Sequence, residues 1–123
     1  MGLANTVINH PKEYWEIVKQ DSWVFVLFVS PYCEACQGAN KRFESIAEEY
    51  AGTVKSIILD TTQTPKIDAL ADIGTPTLVA YKNNEEVERY LGIGFPEDQE
   101  DYLRGIFSHH LSGTALPDLP IYL

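Results

Sequence analysis

The sequence is poor in sulfur and in positive charge. Its 123 residues include 2 cysteines and 1 methionine, and 9 basic side chains stand against 18 acidic ones, for a formal net charge of −9. Two cysteines are too few for the disulfide framework of a small secreted protein. A chain this acidic lacks the basic surface that nucleic-acid and anionic membrane partners require. We therefore expect no nucleic acid and no membrane among its partners.

Long apolar runs are missing as well. The run Trp23–Val29 is far too short to cross a bilayer. Met1–Asn5 has neither the basic start nor the apolar segment of an export signal, so we expect a cytoplasmic protein. Hydrophobic residues nevertheless make up 45% of the chain, which is ordinary for a globular protein, and the length suits one domain.

Both cysteines lie directly after the most apolar segment. Trp23–Val29 is rich in β-branched and aromatic residues, as expected of a central strand covered on both faces. Cys33 and Cys36 follow a short corner and are expected to open a long helix. A single Cys-x-x-Cys pair beside a β-α-β pattern is typical of dithiol–disulfide exchange, which requires no cofactor.

The remaining pattern predicts alternating strands and helices. Strands are predicted at Thr6–Ile8, Val54–Asp60, Leu78–Tyr81 and Glu86–Leu91, and helices beginning at Pro11, after the cysteines, at Pro65 and at Pro96. In the helix after the cysteines, Lys41 and Arg42 fall on the polar face, and Gly38 is a point where the helix could bend. Asn83-Asn84 is predicted to form a hairpin turn.

Three motifs together resemble the thioredoxin family. They are the aromatic-preceded cysteine pair of Tyr32–Cys36, the Thr-Pro segment Gly74–Thr77 and the hairpin Tyr81–Glu85. The resemblance implies an α/β thioredoxin fold, with a central mixed sheet of four to five strands flanked by four helices. The domain is expected to span residues 1–113, with residues 114–123 as an additional tail, and the protein is expected to be a monomer.

The resemblance also implies roles for individual residues. Cys33 is expected to be the nucleophile, with its pKa lowered by the helix N-terminus, and Cys36 to resolve the mixed disulfide. Pro76 is expected to be cis and, with Thr75 and Gly92, to bind an extended substrate segment. The implied partners are protein disulfides and an electron donor of the thioredoxin reductase type. No metal is expected.

The sequence departs from thioredoxins around the cysteines. Thioredoxins carry Trp-Cys-Gly-Pro-Cys, whereas Tyr32, Glu34 and Ala35 stand here in place of Trp, Gly and Pro, and these three residues are candidates for tuning the redox potential. Leu27 replaces the family's buried aspartate, and Ser56 replaces its companion lysine. The Glu34 charge is expected to oppose the thiolate and keep the protein reducing or intermediate, unless it points into water and is screened.

Without the aspartate, the proton of the resolving cysteine goes to water or to Glu34, or the second step of exchange is slower. Three other interpretations remain open. A structural zinc site would need four ligands, and no histidine lies at a matching spacing. The chain could also be a thioredoxin-fold binding module with weak redox activity, or an exported disulfide oxidase or isomerase.

Overall fold

The computed structural model describes residues 3–5, 10–31, 33–62 and 74–115. The strands are β1 (Leu3–Asn5), β2 (Trp23–Val29), β3 (Lys55–Asp60), β4 (Thr77–Lys82) and β5 (Glu85–Leu91), and the α-helices are α1 (Pro11–Val18), α2 (Ala39–Glu49) and α3 (Pro96–Ser112). A 3₁₀ turn, Glu34–Cys36, precedes α2. Within these residues, no helix combines the length and the apolar character that a membrane crossing requires.

The strands form one mixed sheet in the order β1-β3-β2-β4-β5. β3 runs parallel to both β1 and β2, whereas β4 is antiparallel to β2 and β5 is antiparallel to β4. The predicted α/β fold with a mixed sheet of four to five strands is confirmed. β2 lies at the centre, which explains its unbroken apolar sequence, because both of its faces are covered.

Each face of β2 packs into a separate hydrophobic core. Phe25 and Leu27 face the core beneath α2 and α3, where the Phe25 ring lies 4.7 Å from that of Phe107. Val24 and Val26 face the other core, which holds α1. Successive side chains of a strand point to opposite faces, so this alternation follows directly from the extended backbone.

A buried pair of tyrosines lies in the core beside α1. The hydroxyl groups of Tyr14 and Tyr81 are 2.7 Å apart and hydrogen-bonded. Burial raises the pKa of both hydroxyls, that of Tyr81 to about 12. Both groups therefore remain protonated at neutral pH, and one hydroxyl donates to the oxygen of the other in a place that water does not reach.

Local signals placed most helix and turn boundaries correctly. Proline stands at the first residue of both α1 and α3, and Gly113 ends α3 with a φ of +76°. Asn83 and Asn84 form the predicted hairpin turn with positive φ angles of 51° and 69°. Each of these signals is carried by the residues at the boundary itself, so the sequence alone is enough to predict the boundary.

Three predicted segments fall partly or wholly outside the described residues. They are the strand at Thr6–Ile8, the helix beginning at Pro65 and most of the tail from residue 114 onward. The strand that the structure describes at the N-terminal end is Leu3–Asn5, paired with β3. The described part of the chain thus holds three of the four expected helices.

Candidate active site

Three loops meet at one end of the sheet. The strand register places Phe28 of β2 opposite Thr77 of β4, and Thr77 opposite Leu91 of β5. The loop that leaves β2 toward the cysteines therefore emerges beside the Thr75-Pro76 segment that enters β4. Gly92, which follows β5, lies at the same end. The topology brings together residues that are far apart in the sequence.

Cys33 and Cys36 are joined by a disulfide bond, with their Cα atoms 5.2 Å apart. Cys33 is half-buried, whereas Cys36 is only 8% exposed and belongs to the main hydrophobic core. The two cysteines therefore differ in access from solvent, and Cys33 is the more accessible of the two.

The predicted continuous helix beginning at the cysteines is wrong. The amide groups of Cys36 and Gln37 donate hydrogen bonds to the carbonyls of Cys33 and Glu34, 3.1 Å each, which makes a single 3₁₀ turn. Gly38 then adopts a left-handed φ of +75°, and α2 begins only at Ala39. The expected bend at Gly38 is a complete break, because a left-handed residue cannot continue a right-handed helix.

This break moves the N-terminus of α2, and with it the helix dipole, away from Cys33. A helix dipole acts mainly on groups within the first turn of its helix. Cys33 caps the short 3₁₀ turn, and α2 starts well beyond it at Ala39. A long helix therefore stabilises a Cys33 thiolate less than the sequence predicts. The remaining stabilisation comes from the amides of the 3₁₀ turn.

Two side chains from outside the turn bind its backbone carbonyls. The side-chain amide Nε2 of Gln99 donates to the carbonyl of Ala35 (2.6 Å) and to that of Gly94 (3.1 Å). Arg42 Nη1 donates to the carbonyl of Gln37 (2.9 Å) and to Gln99 Oε1 (2.8 Å). Gln99 and Arg42 thus form one polar network, which we call the brace, between the cysteine turn, α2 and α3.

Neither member of the brace is among the site residues that the sequence predicts. The pattern of α2 predicts Arg42 on the polar face, whereas its side chain is partly buried, and the side chain of Gln99 is fully buried. Gln99 lies one helical turn before Leu103, on the buried stripe of α3. A polar residue at a core position of an amphipathic helix is a signal that could have identified it.

The surroundings of the pair are apolar where thioredoxins carry an acid. Leu27 is completely buried in the same core as Cys36. Ser56 is also buried, and its hydroxyl oxygen has no hydrogen-bond partner among the residues that the structure describes. No carboxylate therefore stands at position 27 to accept a proton from Cys36.

The residues expected to bind substrate lie at the loops described above. The Thr75–Pro76 peptide bond is cis, as predicted. Pro76 is buried and Thr75 is half-buried, and the Thr77 hydroxyl donates to the Gly74 carbonyl at 2.7 Å. Gly92 has a φ of +115°, a conformation that favours glycine. Among the redox-tuning candidates, Glu34 is exposed and Ala35 is half-buried, while Tyr32 lies outside the described residues.

An open cavity of about 550 Å³ adjoins the disulfide. Both cysteines line it, together with Gln37, Lys41 and Asp60. Asp60 accepts hydrogen bonds from the amide and hydroxyl groups of Thr62, at 2.8 Å and 2.6 Å. Residues 10–31, 33–62 and 74–115 contain no cluster of three or more histidine, cysteine, aspartate or glutamate side chains that could hold a metal ion.

Comparison with known proteins gives one consistent family. The family model described as thioredoxin matches residues 5–104. The chain is 33% identical to the thioredoxin of Porphyra purpurea over 78 residues, which cover 63% of this chain and 73% of that protein. It is 28% identical to the chloroplastic M-type thioredoxin of Pisum sativum over 104 residues, covering 73% of this chain and 60% of that protein.

Solved structures agree on the fold. A mutant thioredoxin from Halobacterium salinarum superposes with a TM-score of 0.68 at 22% identity, covering 94% of this chain and 95% of that one. The thioredoxin of Malassezia sympodialis gives a TM-score of 0.67 at 20% identity, covering 84% and 90% of the two chains. At these identities the likeness shows the fold, which is the thioredoxin fold.

Proposed function

The chain belongs to the thioredoxin family and is a thiol–disulfide oxidoreductase, and we propose that it works as a reductant of protein disulfides. The observation that carries this proposal is the disulfide between the half-exposed Cys33 and the buried Cys36. It lies at the end of the sheet from which the cis Thr75-Pro76 segment emerges. This arrangement supports Cys33 as the reactive sulfur, Cys36 as the resolving sulfur and the Thr75-Pro76 segment as the surface for the substrate chain.

The difference in exposure supports one role for each cysteine. The Cys33 thiolate attacks a sulfur of the substrate disulfide, forms a mixed disulfide and releases the first substrate thiolate. The Cys36 thiolate then attacks the Cys33 sulfur, closes the internal disulfide and releases the second substrate thiolate. Two electrons pass from the protein to the substrate, and protons from the two cysteines or from solvent neutralise the products.

The substrate chain is proposed to bind at Thr75, Pro76 and Gly92. An extended peptide can bind exposed backbone through main-chain hydrogen bonds. The segment before β4 enters the sheet beside the cysteine loop, and Leu91, which precedes Gly92, is 72% exposed and offers apolar contact. Folded proteins that present a disulfide on an extended segment are therefore the proposed substrates.

Two features favour the reducing direction. Strong oxidants of this kind owe their potential to a stabilised reduced form, in which the thiolate is held by its surroundings. Here α2 begins beyond the turn, at Ala39, and the exposed carboxylate of Glu34 lies directly after Cys33. Both features leave the thiolate with little extra stabilisation. We expect a potential near that of thioredoxin, about −270 mV, and far from the oxidising extreme of about −120 mV.

A reductant needs a supply of electrons. We propose that a thioredoxin reductase-type enzyme reduces the Cys33–Cys36 disulfide, and that the protein acts as a monomer without a cofactor of its own. A reducing compartment such as the cytoplasm suits this activity, because the dithiol must be regenerated after every turnover.

The proposed function is tested by insulin reduction with two electron sources. The protein should accelerate the precipitation of insulin by dithiothreitol, and NADPH with thioredoxin reductase should replace dithiothreitol. Acceleration with neither source would indicate a binding module and would contradict the proposal. Oxidation of a reduced, unfolded substrate in preference to insulin reduction would indicate an oxidase instead.

Glu34 is expected to tune both the potential and the second step. Because Glu34 is exposed, its interaction with the thiolate is screened and worth about 0.2–1 kcal/mol. Glu34→Gln should therefore make the potential more oxidising by about 5–20 mV at low salt, and high salt should remove the shift. Release of the mixed disulfide should also slow if Glu34 takes the Cys36 proton. Redox titration and stopped-flow kinetics measure the two effects, and an unchanged potential at low salt would contradict the first.

A further inference from the structure

The backbone on both sides of Cys36 is held by side chains from elsewhere. Ala35 and Gln37 flank Cys36 in sequence, and their carbonyls accept hydrogen bonds from Gln99 and Arg42 respectively. An added Cβ at Gly38 would lie 3.0 Å from Arg42 Nη2, so the guanidinium also covers the break before α2. The brace therefore contacts the chain at Ala35, Gln37 and Gly38, on both sides of Cys36.

Gln99 is fully buried, and its amide is fully used. Its Nε2 donates twice, and its Oε1 accepts from Arg42. A buried amide is unfavourable unless its polar atoms are paired, and an apolar side chain would fill the same core position without that requirement. The distinctive contribution of Gln99 is therefore to the groups that it binds, namely the cysteine turn and Gly94.

The turn depends on these contacts most when the protein is reduced. In the oxidised protein the disulfide itself keeps Cys33 and Cys36 together. Reduction removes that covalent link, and only non-covalent contacts then hold the turn. We propose that Gln99 and Arg42 are positioning residues that keep the reduced turn closed, so that Cys36 lies ready to attack the mixed disulfide on Cys33. The inference rests on the thiol–disulfide exchange of this pair and not on its direction in the cell.

The affected step is ring closure. The Cys36 thiol loses its proton to solvent or to Glu34, and its sulfur bonds to the Cys33 sulfur while the bond from Cys33 to the substrate sulfur breaks. The departing thiolate carries away the electron pair. A loosely held turn lowers the effective concentration of Cys36 at Cys33, and so slows this step without affecting the first attack.

The reaction of the reduced protein with dithiobis-nitrobenzoate separates the two steps. Attack by Cys33 releases one coloured thiolate, and ring closure by Cys36 releases a second. In Gln99→Met, which is close in size, we expect the first release to stay within about twofold of the wild-type rate and the second to slow about tenfold. The equilibrium constant for oxidation of the protein dithiol by glutathione disulfide should fall by a similar factor. The reduction potential of the pair would then be about 30 mV more oxidising.

Tyr14→Phe is the matched control for this experiment. It also removes a buried side-chain hydrogen bond, but in the core on the opposite face of the sheet. We expect both of its release rates to equal those of the wild type. Wild-type ring closure in Gln99→Met, or a slowing no larger than in Tyr14→Phe, would overturn the positioning role. Failure of the wild type itself to give a second release would instead overturn the exchange activity of the pair.

Arg42 provides a second test if Gln99→Met does not fold. Arg42 is only partly buried, so its replacement disturbs the core less. Arg42→Met and Arg42→Lys should both slow the second release, because lysine keeps the charge but its flexible stem does not reproduce the fixed planar geometry with which Arg42 Nη1 donates to Gln37 and Gln99. A wild-type rate in Arg42→Lys together with a slow rate in Arg42→Met would show that charge matters and that positioning does not.

Discussion

Cys33→Ser is expected to reduce disulfide exchange to the uncatalysed background, whereas Cys36→Ser should still attack its substrate once and then remain attached to it. The reason is the unequal placement of the two sulfurs. Cys33 is half-buried beside an open cavity, and Cys36 is 8% exposed within the core. We therefore expect the more exposed Cys33 to attack the substrate first and the more buried Cys36 to displace a substrate already bound to Cys33.

The two cysteine variants are matched, because each keeps one thiol and differs from the other only in which sulfur remains. Insulin reduction measures turnover, and non-reducing electrophoresis with mass spectrometry identifies the trapped species. A stable mixed disulfide should form with Cys36→Ser and not with Cys33→Ser. Accumulation on Cys36 in the Cys33→Ser variant would reverse the assigned roles.

Leu27→Asp is expected to destabilise the protein by about 3–5 kcal/mol at neutral pH, since it leaves a carboxylate buried without a partner. Leu27 is completely buried among the apolar side chains that surround Cys36. Burial raises the pKa of such a carboxyl above its value of about 3.9 in the unfolded chain. As the pH rises above about 3.9, the carboxyl loses its proton in the unfolded chain before it does so in the folded protein. The free energy of unfolding therefore falls as the pH rises toward the higher pKa of the folded state.

Leu27→Asn is the control for this variant, because it is polar and similar in size to aspartate but does not titrate. Urea unfolding measures the free energy of unfolding of each variant relative to the wild type. The loss should be larger near pH 8 than near pH 5 for Leu27→Asp, and nearly the same at both pH values for Leu27→Asn. The new carboxyl should also accept the Cys36 proton and speed ring closure. Equal stability of the two variants at both pH values would show that position 27 is open to water.

The sequence was informative wherever structure depends on neighbouring residues. The proline at the start of α3, the paired asparagines of the hairpin and the glycine that ends α3 each act through their own backbone preference. The apolar run of β2 likewise requires cover on both faces. The two-cysteine motif was sufficient to identify the chemistry, because both sulfurs lie in it.

The sequence was less informative wherever distant residues meet. The break at Gly38 is accompanied by the guanidinium of Arg42 and by the amide of Gln99, which comes from another helix. Helical periodicity alone predicts an uninterrupted helix there, since glycine is only a weak breaker. The same limit applies to the partner of Gln99: periodicity places Gln99 on the buried stripe of α3, but its hydrogen bond to the distant Ala35 carbonyl depends on how the helices pack.

We expect the Cys33–Cys36 pair to be a reversible and reducing two-electron couple. The most direct measurement equilibrates the protein in buffers of graded dithiothreitol or glutathione potential and counts its free thiols. We expect a single two-electron transition at a reducing potential, near about −270 mV. A transition near about −120 mV, or a disulfide in the folded protein that no buffer reduces, would contradict the claim.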